Sequence, residues 1–337
     1  MSFRKLILLL AAISVLAVSC EDDEETSVKP SLQGVLKFSV QKFIAPGQTL
    51  TMTPEGLTHP DEGTIGYYWK VTPTMTKYDT TRFLNGLDAE KDGKPSDGSF
   101  THKFSDTLKT YTVHGYAFAE GYTGASSSST VTAVKGGLDG SVQGTGILSS
   151  DKKVTVDGVD YHYVRVGNLY WFMSNLSTAS AGGAPYAGYE VMSDVFGRYY
   201  SYDEAVNACP QGWRLPTSEE WDGAASEGTA AMMCDASFNG EQMWEYWPEV
   251  GEITNSTRLA VISAGYANLG QKADDGTYPS AAFEGLYEYA AFWTADEADE
   301  PGTAYYRYMV CDQPELFVMK GNRESFGASV RCVKDVE

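Results

Sequence analysis

Cys209-Pro210-Gln211-Gly212-Trp213-Arg214-Leu215-Pro216-Thr217-Ser218-Glu219-Glu220-Trp221 is the stretch on which the fold of the second half turns. Thr217-Ser218-Glu219-Glu220 fits a capping box, in which the first side chain caps an amide three residues on and the glutamate reaches back. The same signal stands upstream at Ser201-Tyr202-Asp203-Glu204. The apolar patterns behind the two boxes are brief: Ala205, Val206 and Ala208, then Trp221, Ala224 and Ala225. Both helices are therefore short. Around them, aromatic-rich runs read as strands at 161–166, 169–173, 259–263, 304–310, 316–320 and 328–333. Few helices among many short strands and long loops predict an α+β domain over 150–337.

The N-terminal half reads differently. Short β-rich runs at 35–44, 48–53, 65–72, 100–104, 110–118 and 127–134 are separated by turn signals such as Ala45-Pro46-Gly47 and Pro54-Glu55-Gly56, with no long helical pattern between them. This predicts an all-β sandwich over 31–134. Tyr67-Tyr68-Trp69-Lys70-Val71 and Thr110-Tyr111-Thr112-Val113 resemble the central strands of immunoglobulin-like or polycystic-kidney-type domains. That resemblance implies that Trp69 packs between two sheets. The glycine-rich stretch 135–149 then reads as a flexible linker.

Residues 1–19 have the parts of a secretory leader: Arg4 and Lys5, an apolar run from Leu6 to Val18, and Ser19 before Cys20. The apolar run is shorter than the roughly 20 residues a membrane span needs. Leu16-Ala17-Val18-Ser19-Cys20 resembles a lipobox, with Ala17 where that motif usually has leucine. The expectation is a lipid-modified Cys20 anchoring the protein to the outer membrane, since several acyl chains give stable attachment. Glu21-Asp22-Asp23-Glu24-Glu25 opens a solvated acidic tether over 20–30 and resembles the surface-export signal of Bacteroidota lipoproteins, which implies an outward-facing, cell-surface protein. Loss of the leader leaves 318 of 337 residues and, with Arg4 and Lys5 gone, moves the formal charge from −20 to −22. So acidic a chain disfavours nucleic acid as a partner.

Apart from Cys20, the cysteines are Cys209, Cys234, Cys311 and Cys332. An even number in an exported chain reads as disulfides, with three pairings open. The absence of a C-x-x-C pair and the scatter of His59, His102, His114 and His162 argue against zinc, and no metal or cofactor is expected. Further motifs then narrow the reading. Val164-Arg165-Val166-Gly167-Asn168-Leu169-Tyr170-Trp171-Phe172-Met173-Ser174-Asn175-Leu176, the Cys209–Thr217 stretch, the Glu220-Trp221 pair and Phe326-Gly327-Ala328-Ser329-Val330-Arg331-Cys332-Val333 follow in order over about 185 residues. Together they resemble the Fibrobacter succinogenes major paralogous domain, a family similar to C-type-lectin-like and formylglycine-generating-enzyme-like folds. The resemblance implies a C-type-lectin-like domain and a bridge between Cys209 and Cys332. Cys234 and Cys311 would then pair by elimination. Trp171, Trp213 and Trp221 read as core aromatics.

Candidate chemistry is sparser. Gln313-Pro314-Glu315 resembles the sugar-binding triplet of calcium-dependent lectins, but no Trp-Asn-Asp strand follows and a proline turn explains it. Asp296, Glu297, Asp299 and Glu300 have oxygen ligands to offer calcium, without an EF-hand spacing. Asp79-Thr80-Thr81 and Asp106-Thr107-Leu108 resemble Bacteroidota O-glycosylation acceptors. Trp244, Trp247, Tyr266, Tyr289 and Trp293 lie beside acidic or glycine-rich segments and are the candidate ligand-binding aromatics, since ring faces stack on sugars or peptide side chains. No phosphate loop, zinc-protease helix or nucleophile elbow is present, so the expectation is not an enzyme. The expected function is a cell-surface lipoprotein that binds glycan, peptide or protein, accessory to nutrient uptake through a TonB-dependent transporter and its starch-utilisation-type receptor. The alternatives are an adhesin or structural surface component, and an unrecognised hydrolase.

Overall fold

The computed structural model describes residues 29–73, 77–105, 110–134, 139–140, 150–238 and 241–336. Cys20, the acidic run 21–25, the 106–108 motif and nearly all of the glycine-rich stretch lie outside them. Within that stretch, Asp139–Gly140 pairs antiparallel with Ala236–Phe238. The chain is mainly β-sheet with few, short helices. No helix among the described residues is long and apolar enough to cross a membrane.

In the N-terminal half, a five-stranded sheet runs in the order Phe43–Ile44, Ala125–Ala133, Thr110–Phe118, Gly66–Thr72, Lys94–Ser96. Two smaller antiparallel pairs accompany it, Gln33–Lys37 with Glu55–Thr58 and Thr49–Met52 with Phe100–Lys103. Trp69 is fully buried among side chains of both sets, with Phe100 stacked on it at 5.8 Å and Phe38 edge-on at 5.0 Å. The cross-strand position is Gly115, where a Cβ would lie 3.0 Å from the indole. Glycine there makes room for the tryptophan.

A helix, Lys77–Leu84, interrupts the strands where the sequence suggested none, and the Asp79-Thr80-Thr81 motif falls inside it. Its Phe83 is fully buried and lies edge-on to His114 at 5.9 Å, on the sheet face away from Trp69. His114 is buried with neither ring nitrogen hydrogen-bonded. Burial, with help from the Lys70 charge, lowers its pKa below the ordinary 6.5, and burial with Lys94 does the same to His102. Such a histidine stays neutral in the folded protein while the unfolded chain takes up a proton. Its contribution is therefore complete above pH of about 6.5 and is lost as pH falls below that value. Urea midpoints should be level near neutrality and decline as pH falls below about 6.5, with a shallower decline in His114→Leu. A midpoint that rises on acidification would contradict this.

Among the described residues the C-terminal half carries three larger antiparallel sheets, besides the pair Ala184–Pro185 with Arg198–Tyr199 and the small sheet that joins Asp139–Gly140, Ala236–Phe238 and Glu241–Gln242. One of the three orders Lys153–Val156, Val159–Val166, Leu169–Phe172 and Val333–Asp335, so that the last strand closes beside the third. Its first hairpin turns on Asp157-Gly158, both with positive φ, in the two-residue geometry that matches strand twist. A second sheet places Thr303–Val310 between Tyr289–Glu297 and Phe317–Asn322. A third places Tyr266–Asn268 between Ala282–Glu284 and Phe326–Gly327.

Both capping boxes form. Ser201 caps Glu204 and opens helix Tyr202–Ala205; Thr217 caps Glu220 and opens helix Ser218–Ala224. Cys209, shortly after the first helix, is bonded to Cys332, with their Cα atoms 5.7 Å apart. Trp171 and Trp221 are buried edge to face at 4.8 Å, and Trp213 is partly buried against Phe172.

Two expected strands are absent as such. Segment 259–263 makes one bridge, at Val261, because Arg258 and Ala260 take left-handed φ and the carbonyls of Leu259 and Ala260 turn to the Arg331 guanidinium. Segment 328–333 makes isolated bridges to Tyr200, Phe292 and Arg214 before becoming strand at Val333. The halves also touch. Phe43 packs edge-on to Tyr189 at 5.4 Å, and Phe43 and Val134 join a buried cluster with Met192, Val195 and Phe196.

Candidate functional site

Of the five candidate aromatics, Tyr266 and Tyr289 come together, edge to face at 5.9 Å and both half-buried. They open a larger array. Tyr289 stacks on Tyr308 at 5.2 Å and 9°, and Tyr308 on Phe317 at 5.1 Å and 23°. Tyr266 stacks on Phe326 at 5.6 Å, and Phe326 on Tyr306 at 4.4 Å.

Strand geometry builds this ladder. Tyr306 and Tyr308 are two apart on one strand and so share a face. Phe317 lies directly opposite Tyr308, and Met319 opposite Tyr306. Tyr289 reaches Tyr308 diagonally, two residues from its direct partner Ala291. Tyr289, Tyr308 and Phe317 are half-buried, while Tyr306 is buried with its hydroxyl on the Met319 sulfur. Phe317 ends the row on an outer strand, with no further ring stacked on its far side among the described residues, and Met319 beside it is 49% exposed. At the other end, the Tyr266 hydroxyl donates to Glu284 at 2.9 Å, an interaction that raises the phenol's pKa.

The other candidates are placed elsewhere. Trp244 and Trp293 are buried, with indole N–H groups donating to the carbonyls of Val261 (2.8 Å) and Tyr200 (2.7 Å). Neither ring has a face for a ligand, which corrects the sequence reading of both. Trp247 is 39% exposed but stands apart from the ladder's ring contacts. Cys234 and Cys311 are buried, free thiols in different apolar clusters, so the expected second disulfide is absent. Burial pushes the Cys234 thiol up to about 12 and leaves it neutral at physiological pH.

The carboxylates weighed for calcium are engaged. Asp296 accepts from the Ser218 amide at 2.6 Å, Glu297 holds Arg323, and Asp299 and Glu300 hold Lys320. Gln313-Pro314-Glu315 forms the turn between two strands, with the Pro314 carbonyl accepting from the Thr229 amide.

A cleft of about 420 Å³ opens on the other side of the third sheet. Strand Ala282–Glu284 faces both ways: Glu284 holds the ladder's Tyr266, while Phe283 lines the cleft and packs against Tyr186 and Tyr199. Arg198, on the short strand Arg198–Tyr199, reaches the cleft almost wholly buried. Its guanidinium donates to the carbonyls of Gly182 and Gly183, each at 2.8 Å, and to Glu190 Oε2 at 2.6 Å. Also lining the cleft, Asp275 is fixed by the amide and hydroxyl of Thr277, and burial pushes the Tyr278 phenol up to about 12. Sequence reasoning passed over Arg198 and Glu190. Their nearest signal was the Gly182-Gly183 pair, which reads only as a turn.

The model of one protein family, the Fibrobacter succinogenes major domain, matches residues 164–334. The chain belongs to this family. No curated protein and no solved structure matches it. The Fibrobacter succinogenes major domain here contains the ladder, the cleft and the Cys209–Cys332 bridge. Tyr308 and Phe317 were within reach of sequence reasoning, because Tyr306-x-Tyr308 sits inside an expected strand and a period of two puts both rings on one face.

Proposed function

We propose that this protein is a non-catalytic lipoprotein, anchored through Cys20 and displayed on the outer face of an outer membrane, whose C-type-lectin-like C-terminal domain binds glycan chains on the aromatic ladder. The immunoglobulin-like N-terminal domain is its stalk. The observation that carries the reading is the half-exposed row Tyr289–Tyr308–Phe317 with Met319 at its open end. A sugar's apolar face stacks on the outer side of Phe317, and the tyrosine hydroxyls and Glu284 supply polar partners along the same surface. The lipobox-like leader and the acidic run after Cys20 support the placement. In that position the protein would serve an outer-membrane uptake complex built on a TonB-dependent transporter and its surface receptor.

Native gels cast with soluble polysaccharides test the binding. The mature chain should be retarded by at least one glycan, and Phe317→Ala combined with Met319→Ala should migrate as if no glycan were present, with an unchanged circular dichroism spectrum. Retardation that survives the double substitution would remove the ladder from the account. Copurification with a large outer-membrane barrel from detergent extracts tests the uptake role; recovery of the protein alone would count against it.

A further inference from the structure

We infer that the cleft holding Arg198 and Glu190 is a second, smaller sugar site, which takes the vicinal diol of one terminal sugar unit. This inference rests on the glycan-binding reading and places a separate subsite on the opposite side of the third sheet. The cleft's size lies within the ~300–1,000 Å³ typical of small-molecule sites.

Its polar chemistry is specific. A guanidinium carries five N–H donors, and three of those of Arg198 are engaged, one on each nitrogen. One N–H on each terminal nitrogen is left without a partner among the described residues. Glu190 uses only Oε2, and its side chain is 70% exposed while that of Arg198 is 8% exposed. The pair therefore offers a fixed acceptor, Oε1, beside fixed donors. Two adjacent hydroxyls complement this arrangement, one donating to Oε1 and the other accepting from a guanidinium N–H. Hydrogen bonds to charged groups are the stronger kind, so each contact counts.

Charge disfavours an anionic ligand. Arg198 and Glu190 offset each other, and Asp275 also lines the cleft. An anion would meet two carboxylates, and the one guanidinium is already paired with Glu190. A polyol carries no charge to be repelled. The wall is a tight turn: Gly182, Gly183 and Gly188 have positive φ, a Cβ at Gly182 or Gly183 would meet Glu204 or Tyr200, and Ala187 takes φ 53°. Phe283 adds an aromatic edge at the back.

Calorimetric titration of the intact mature protein with methyl α-mannoside, methyl β-galactoside and methyl β-glucoside, each beside a deoxy analogue lacking one hydroxyl of the diol, tests the assignment. At least one parent glycoside should bind, its deoxy analogue at least tenfold more weakly. Glu190→Gln keeps the exposed side chain's shape and its bond to Arg198, and should also bind the glycoside at least tenfold more weakly, with an unchanged melting temperature. The Phe317→Ala, Met319→Ala protein should bind the glycoside as the unaltered chain does. Absence of binding by all three glycosides, or equal binding by Glu190→Gln, would overturn the cleft assignment. Polysaccharide retardation persisting in either case would leave the ladder reading intact, whereas glycoside binding without any polysaccharide retardation would sink the ladder and keep the cleft.

Discussion

Arg331→Ala should abolish the folded C-terminal half at ordinary temperature. Arg331 is wholly buried, and none of its hydrogen-bond partners among the described residues is a carboxylate. Its guanidinium instead donates to Asn175 Oδ1 at 2.7 Å, the Phe172 carbonyl at 2.9 Å, the Leu259 carbonyl at 2.7 Å and the Ala260 carbonyl at 3.2 Å. Burial pushes its pKa down to about 9, which still leaves it charged at neutral pH. Removing the side chain strands these acceptors in the interior. Each unsatisfied buried group costs about 1–3 kcal/mol, and the cavity adds to the loss. Their sum rivals the ~5–15 kcal/mol total stability of a typical protein. Arg331→Lys should rescue little, because an ammonium lacks the planar fork that reaches separate carbonyls. Urea unfolding followed by tryptophan fluorescence measures the loss. A midpoint close to that of the unaltered chain would show that the guanidinium does not hold the 259–260 segment in place.

Breaking the Cys209–Cys332 bridge should have the next largest effect. The two cysteines are 123 residues apart. Closing so long a loop restricts the unfolded chain by about 5 kcal/mol in the chain-entropy model, and measured losses on removing native disulfides run at about 2–5 kcal/mol. Cys209→Ser with Cys332→Ser should therefore lower the urea midpoint strongly while leaving Cys234 and Cys311 unoxidised. Because Cys332 adjoins Arg331, the two perturbations share a segment and should not add. Non-reducing peptide mapping that found Cys234 joined to Cys311 would contradict the separation of those thiols in two clusters.

The parts of the fold that depend on neighbours in sequence were legible before any coordinates. Ser201–Glu204 and Thr217–Glu220 announce their helices because a capping box is local chemistry. The core place of Trp69 follows from the resemblance of its segment to the central strands of immunoglobulin-like domains, and the structure buries it there. Segment 259–263 failed for a non-local reason: its β-branched and apolar residues suit a strand, but an arginine more than 70 residues on claims its carbonyls. Trp293 reads as a candidate binding aromatic because acidic residues follow it, within Ala290-Ala291-Phe292-Trp293. In the structure that segment is a strand with both faces covered, a pattern without alternation that sequence alone cannot distinguish from other buried segments.

The candidate surface was half legible for the same reason. Tyr266 and Tyr289 stood out by composition, but whether a ring faces water depends on which strands stack beside it. That fact separates them from Trp244 and Trp293. Arg198 and Glu190 carried no motif at all. Their pairing depends on a glycine-bearing turn whose carbonyls hold two nitrogens of the guanidinium while Glu190 takes the third.

The central claim, that glycan lies along the ladder, is tested most directly by hydroxyl-radical footprinting of the mature protein with and without a polysaccharide that retards it. Oxidation of Met319, Phe317 and Tyr308 should fall severalfold when the glycan is present, while exposed Tyr246, outside the ladder, is oxidised as before. Unchanged oxidation of Met319, Phe317 and Tyr308 under conditions where the glycan is bound would contradict the account.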